Sequence, residues 1–298
     1  MLMDKSMKSL IIIDTSYLFF QLVFAMPDLS TSDQETHIIF GFIRKVLSLS
    51  KTFNTSNFVF VFDSKHSKRK EMFPDYKKKR NDKTKEKTPQ EQAMFKLAFE
   101  QFNHLKTDVL PSLGFKNIFE DKGYESDDII GDLCFAYGGQ CEIVVVSTDE
   151  DYFQLLDNCS MYNMKEKTFY TKSDFVKEYG IVPDQWVLVK SHGGCLSDGV
   201  PSVTGGYPVG SALKYVKGEL PSHWKIYKQF TSEEGKAIFD RNFPLVSLPL
   251  DGVKEFDIDF KENFLYSAFT EMCEKYEFRS LMKDDTLKLW CDNFVKNK

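Results

Sequence analysis

No apolar run in this 298-residue chain approaches the 18 or so residues of a membrane span, so a membrane protein is not expected. The N-terminus lacks the long apolar segment and small-residue cleavage site of a signal peptide, because Ile11 to Ile13 lead straight into Asp14. A cytosolic protein is therefore expected. Paired cysteines are also missing. Cys134, Cys141, Cys159, Cys195, Cys273 and Cys291 form no C-x-x-C, which argues against a zinc site or a disulfide framework and points to reduced core residues. There is no internal repeat. Net positive charge is absent as well, and the balance of −5 is the wrong sign for a nucleic-acid binder. That average hides one strongly basic stretch set against several acidic positions. A hydrophobic content of 42% excludes disorder, and the length allows one large domain or two.

The chain is organised around Gly123-Tyr124-Glu125-Ser126-Asp127-Asp128-Ile129-Ile130. Ser126 reads as a helix N-cap, with Ile129, Ile130 and Leu133 following at helical spacing. A helix N-terminus favours one carboxylate, but three are more than a cap can use. Two carboxylates about 4 Å apart repel by about 1 kcal/mol in water and several-fold more near a protein surface. A bound cation relieves such a cluster, and an all-oxygen set suits a hard one, Mg²⁺ or Mn²⁺.

Three β-branched runs end in acids. Ser9 to Ile13 stops at Asp14, Phe58 to Phe62 at Asp63, and Ile143 to Val146 runs into Ser147-Thr148-Asp149-Glu150-Asp151. The helical period of Ile38, Ile39, Phe42, Ile43, Val46 and Leu47 suits a crossover between parallel strands. Ligands of open parallel sheets bind beyond the carboxyl ends of the strands. Asp14, Asp63, Asp149 and Asp151 are expected there, with Glu125, Asp127 and Asp128 entering from a helix start. A single Asp after a strand is an ordinary turn residue; the recurrence over three strands is what points to a site.

From Lys65 to Lys87, lysines and arginines, among them Arg69, Lys77, Arg80, Lys83, Lys85 and Lys87, far outnumber acids, and Phe73 and Tyr76 sit among them. Cations attract phosphate and a ring stacks on an unpaired base, the combination that single-stranded nucleic acid requires. A solvated, mobile loop is the alternative for the part beyond Arg80. Gln90 to Leu113 reads as a long helix with Met94, Leu97, Ala98, Leu105 and Val109 facing the core. Tyr152 to Leu156 begins a helix, Met161 to Tyr170 looks like a hairpin, and Ser173 to Tyr179 is a helix ended by Gly180. Pro183 starts another, through Trp186, Leu188 and Val189. Gly193 to Val216 is glycine-rich, and its glycines would let backbone N–H groups approach a phosphate. The remainder is aromatic-rich and helical in pattern.

These residues make the chain resemble the 5′-to-3′ exonuclease and flap endonuclease family, particularly phage 5′ nucleases and the 5′-nuclease domain of bacterial DNA polymerase I. Gly123 to Asp128 is similar to the family's G-x-E-A-D-D, and Thr148-Asp149-Glu150-Asp151 with Gln154-Leu155 to T-x-D-x-D-x-x-Q-L. Phe62-Asp63 followed by Arg69, Glu71, Pro74, Tyr76, Lys77 and Arg80 matches F-D then R-x-E-x-x-P-x-Y-K-x-x-R. The resemblance implies an α/β fold with a PIN-like parallel-sheet nuclease core over residues 1–182, including a basic helical arch at 64–90. A helical duplex-DNA-binding region with a helix-three-turn-helix module would follow at 183–298.

The implied metal ligands are Asp14, Asp63, Glu125, Asp127, Asp128, Asp149 and Asp151, holding two Mg²⁺ ions for which Mn²⁺ can substitute, with K⁺ at the helix-three-turn-helix. Lys77 and Arg80 would face the scissile phosphate, Tyr76 would stack on a nucleotide, and Arg69, Lys83, Lys85, Lys87, Gly205 and Gly210 would complete the nucleic-acid contacts. The family's G-D-x-x-D-N-I-P reads here Gly194-Cys195-Leu196-Ser197-Asp198-Gly199-Val200-Pro201, so a cysteine replaces one acid. Asp198, one turn along if the segment is helical, is then the expected second-site acid.

The implied activity is Mg²⁺-dependent hydrolysis of phosphodiesters in DNA flaps or ends, or in RNA primers annealed to DNA during replication. The partners would be such DNA, an RNA–DNA hybrid and replication proteins, met by a monomer in the cytoplasm, that of the host if the chain is of phage origin. A structure-specific DNA-binding protein of the same fold with little catalysis is the alternative that Cys195 keeps open. An aspartyl-phosphate phosphatase or receiver domain also clusters acids at strand ends, but Asp14 lacks the paired acid of such sites and the basic stretch would have no purpose there.

Overall fold

Strand β1 (Ser9–Asp14) is buried from Leu10 to Asp14, as its unbroken apolar run requires of a strand covered on both faces. A computed structural model describes residues 9–23, 30, 35–78 and 88–296 of the chain. Five further strands join β1: β2 (Phe58–Val61), β3 (Ile118–Phe119), β4 (Glu142–Val146), β5 (Ser160–Asn163) and β6 (Thr168–Tyr170). Their order is β3-β2-β1-β4-β5-β6, all parallel except β6, which pairs antiparallel with β5. Ile13 aligns with Phe60 on one side and with Val146 on the other. The chain winds outward from β1 to β2 and β3, then crosses back to β4. The strand order therefore reverses between the parallel neighbours β1 and β4, and a crevice opens there beyond the strand ends.

Helices cover both faces. Ile11, Ile13, Phe58, Phe60, Val144 and Val146 point to one side, against α1 (Thr15–Val23), α2 (His37–Phe53) and α4 (Pro89–His104). The alternate residues Leu10, Ile12, Val59, Val61, Ile143 and Val145 face α5 (Ser126–Tyr137) and α7 (Trp186–Gly193). Between these lie the short α3 (Lys68–Met72) and α6 (Lys172–Tyr179), the latter ended by Gly180 at φ 68°. After α7 come α8 (Val209–Val216), α9 (Lys225–Thr231), α10 (Glu233–Val246), α11 (Tyr266–Lys275) and α12 (Asp284–Trp290). Packing is continuous across residues 182 and 183. Trp186 lies 5.7 Å from Phe153 between ring centres, and Asn293, near the C-terminus, donates to the Ser50 carbonyl of α2 at 3.0 Å.

Several local expectations change. The helix expected over Gln90–Leu113 passes through a π turn at Leu105–Val109 before a last turn at Leu110–Leu113. Its core face includes Phe95, Ala98 and Gln101, while Leu97 is exposed. Glu125, not Ser126, is the N-cap of α5. The helix expected from Tyr152 to Leu156 is a 3₁₀ turn, Glu150–Leu155, with Leu156 as its C-cap. Residues 194–200 are not helical: Cys195 and Val200 exchange backbone hydrogen bonds across a tight turn. Much of the arch, including Arg80, Lys83, Lys85 and Lys87, lies outside the described residues.

Candidate active site

Asp14 closes β1, and its neighbours fix its carboxylate. Oδ1 accepts the Tyr17 N–H at 3.1 Å, and Oδ2 accepts the hydroxyls of Tyr152 at 3.2 Å and Ser147 at 3.4 Å. Asp63, two residues past β2, accepts the Ser126 N–H at 2.7 Å, which ties that strand end to the first turn of α5. Asp149, beyond β4, accepts the Asp151 N–H at 3.0 Å. Glu125, Asp127 and Lys77 line the same cleft, which has a volume of about 670 Å³. Three parallel strand ends and one helix start thus deliver their carboxylates to the point where the strand order reverses.

The crowding shows in the electrostatics. Burial, then the charge of Asp63, pushes the Asp14 carboxyl from its ordinary 3.8 up to about 7. Burial and Asp151 raise Asp149, and burial with Asp128 raises Asp127. Glu125 goes the other way: burial opposes its charge, but Lys77, whose ammonium lies 2.6 Å from Oε2, holds it below its ordinary value. Asp14, Asp63 and Asp149 have neutral donors as hydrogen-bond partners and no lysine or arginine in ion-pair contact among the described residues. An all-oxygen donor set with unrelieved negative charge fits a hard divalent ion.

Three expected residues lie elsewhere. Asp128 is fully buried. Its oxygens receive both arms of the Arg69 guanidinium at 2.6 and 2.7 Å, the Leu250 N–H at 2.8 Å and the Glu125 N–H at 3.1 Å. Those four bonds use its lone pairs, so it holds the core together and does not reach the cleft. Arg69, expected at nucleic acid, is only 2% exposed and also donates to the carbonyls of Leu245 and Ser247. Tyr76, expected to stack on a base, is 1% exposed; its hydroxyl donates to Glu125 Oε2 at 2.9 Å. Consecutive residues of a helix project in different directions, which is why Asp127 faces the cleft and Asp128 the core.

Asp151, Cys195 and Asp198 form a second group whose ligand atoms lie within 4.8 Å of one another. Lys190 of α7, not foreseen in the sequence, stands among them with its ammonium 2.7 Å from Asp151 Oδ1. The tight turn 194–200, not a helix, brings Asp198 here. Gly199, at φ 71°, lets this turn approach the Asp75 carbonyl, which an added Cβ would meet at 3.1 Å, and the Lys77 N–H donates to the Asp198 carbonyl at 2.7 Å. Phe20, half exposed at the cleft, was also not foreseen. At Gly205 and Gly210 an added Cβ would meet no atom within 4 Å, so the backbone there lies open. Among the described residues no helix is long and apolar enough to cross a membrane.

Comparison with known proteins places the chain in a family. A family model described as "5'-3' exonuclease, N-terminal resolvase-like domain" matches residues 9–180. A 5'-3' exonuclease of Aquifex aeolicus is 29% identical over 296 residues, covering 93% of this chain and 95% of the relative. A DNA polymerase I of Deinococcus radiodurans is 31% identical over 200 residues, covering 66% of this chain and 20% of the polymerase. Among solved structures, T5 5'-exonuclease with bound zinc superposes with a TM-score of 0.67 at 22% identity, covering 81% of this chain and 90% of that one. The bacteriophage T5 D15 flap endonuclease in complex with DNA and metal ions gives 0.66 at 20% identity, covering 94% and 98%. At that identity the two structures speak for the fold. With more than half its length matched by the family model, the chain belongs to the 5'-3' exonuclease family.

Proposed function

We propose that this chain is a Mg²⁺-dependent 5′ nuclease that hydrolyses phosphodiesters at 5′ flaps or ends of DNA. The observation that carries the proposal is the convergence of Asp14, Asp63, Glu125, Asp127 and Asp149 on one cleft beside Lys77. When bound there, a divalent ion supplies a water of lowered pKa and offsets charge on the phosphate. The protein's own residues do the rest. Asp14, Asp63 and Asp149 stand fixed by backbone and hydroxyl donors, so little reorganisation is needed to receive the ion. Lys77 keeps its charge despite burial, because Asp198 and Glu125 face it. Its ammonium is thereby held at the cleft, where it would stabilise charge developing on the scissile phosphate. With Tyr76 buried, Phe20 is the ring placed to stack on a base.

Arg80 would face the scissile phosphate with Lys77, and Lys83, Lys85 and Lys87 would steer the strand by charge. Gly205 and Gly210, with K⁺, would hold the duplex. RNA primers annealed to DNA, replication partners and Mn²⁺ as a substitute ion belong to the same proposal. A weakly catalytic DNA-binding protein is the second reading, and the pairing of Lys190 with Asp151 beside Cys195 favours it. Incubating 5′-labelled flap, nicked and RNA-primed duplexes with Mg²⁺ or EDTA and sizing the products distinguishes the two. Short 5′ products that need Mg²⁺ support the nuclease; tight binding with intact substrate supports the rival.

A further inference from the structure

Charge is distributed unevenly along the cleft. In the half made by Asp14, Asp63 and Asp149, every hydrogen-bond donor to the carboxylates among the described residues is neutral: the N–H groups of Tyr17, Ser126 and Asp151 and the hydroxyls of Ser16, Ser147 and Tyr152. In the half made by Asp151, Cys195 and Asp198, ammonium groups are already in place. Lys190 Nζ lies 2.7 Å from Asp151 Oδ1 and 3.7 Å from Cys195 Sγ. Lys77 Nζ, shared with Glu125, lies 4.0 Å from Asp198 Oδ1.

We propose that the Lys190 ammonium takes the place of a second divalent ion, so that the substrate-free protein holds one ion, among Asp14, Asp63 and Asp149. This rests on the nuclease reading and alters its ion count.

Position supports the assignment. Lys190 is 9% exposed, and its backbone belongs to α7, whose Trp186 and Val189 pack in the apolar cluster beneath the sheet. The ammonium is therefore presented from a fixed element and donates to both Asp151 and Cys195. A divalent ion entering the same group would meet this positive charge at close range. The ligand chemistry agrees. Cys195 supplies sulfur, a soft ligand that suits Mg²⁺ poorly, whereas an ammonium can donate to sulfur and carboxylate alike. The replacement of an acid by Cys195 and the placing of a cation beside it are two changes in one direction: each lowers the negative charge available to a second ion.

The test is a titration of the full-length, substrate-free protein with Mn²⁺, the free ion being counted by electron paramagnetic resonance. Wild type is expected to bind one Mn²⁺, which Asp149→Asn weakens at least about tenfold. Lys190→Met combined with Cys195→Asp is expected to bind two, because the ammonium is gone and a carboxylate has been added. Cys195→Asp alone, which keeps the lysine, is expected to stay at one, and it provides a reading should the double variant fail to fold. Two ions in wild type, or two in Cys195→Asp alone, overturn the proposal while leaving the nuclease reading standing. No bound ion in wild type removes both. A double variant that folds and still binds one ion also overturns it, since removing the ammonium would then have released nothing.

Discussion

Asp128→Asn keeps the shape of a side chain that Arg69 grips at 2.6 and 2.7 Å and removes its charge. The guanidinium left behind is 2% exposed. It retains the carbonyls of Leu245 at 3.1 Å and Ser247 at 2.8 Å, with Glu125 and Asp127 no closer than 3.8 Å. Removing one partner of a buried pair costs about 3–5 kcal/mol, and the surviving carbonyls place this case near the lower end. In urea, with a slope of about 3 kcal/mol/M, the unfolding midpoint should fall by about 1 M. Arg69→Met with Asp128→Leu removes both charges but leaves the carbonyls of Leu245 and Ser247 and the N–H groups of Glu125 and Leu250 without these partners, so it should recover little of the loss. Well below the unfolding transition, the folded fraction of Asp128→Asn should cleave within about tenfold of wild type, a change under about 1.4 kcal/mol in barrier. An unchanged midpoint with cleavage abolished would refute the reasoning and return Asp128 to the set of ion ligands.

The raised Asp14 carboxyl gives a pH signature. A proton held in the folded state up to about pH 7, against an ordinary 3.8, contributes about 4 kcal/mol of stability that is fully present below about pH 4 and lost as pH rises through about 7. Asp14→Asn should flatten that part of the metal-free stability profile; an unaltered slope in urea melts across pH 4–8 would contradict it. Lys77→Met should slow single-turnover cleavage by about 10²- to 10³-fold, the scale of one oriented donor, while substrate binding in Ca²⁺ changes far less; an equal loss in both would make Lys77 only a phosphate tether. Phe20→Ala should weaken single-stranded DNA binding by about 1–3 kcal/mol in fluorescence anisotropy, and Tyr76→Phe should not, so the reverse order would count against the buried position of Tyr76.

The strand-end acids were legible because continuous apolar runs mark parallel strands, and parallel strands bring the residues at their carboxyl ends into one crevice. Asp14, Asp63 and Asp149 meet there. The helix beginning near Glu125 was legible too, from its apolar spacing. What sequence spacing could not separate was Asp127 from Asp128: both are acids at a helix start, and only the position of Arg69, 59 residues earlier in the chain, turns one into a core residue. Tyr76 sits among lysines and looks solvent-facing, yet its ring is covered and its hydroxyl meets Glu125. Lys190 ends an apolar stretch, Trp186-Val187-Leu188-Val189, where a lysine reads as a stem lying along the core with its charge in water. Its charge instead enters the cleft. Leu97 was placed on the core face next to Ala98, but the buried stripe runs through Phe95, Ala98, Gln101 and Leu105 and leaves Leu97 to one side of it. The two-residue β3 is too short to leave a pattern.

The most direct measurement compares cleavage and binding of one 5′-labelled flap substrate by wild type, Asp63→Asn and Asp149→Asn. Each substitution keeps the side chain's shape and removes one charge from the half of the cleft where, among the described residues, no lysine or arginine is in ion-pair contact with the carboxylates and Lys190 acts on Asp149 only at longer range. If that half holds the ion that drives hydrolysis, both variants should show no Mg²⁺-dependent product while binding the flap as tightly as wild type or more tightly, since less negative charge faces the phosphate. Cleavage at close to the wild-type rate by either variant, or undiminished wild-type cleavage in EDTA, would contradict it.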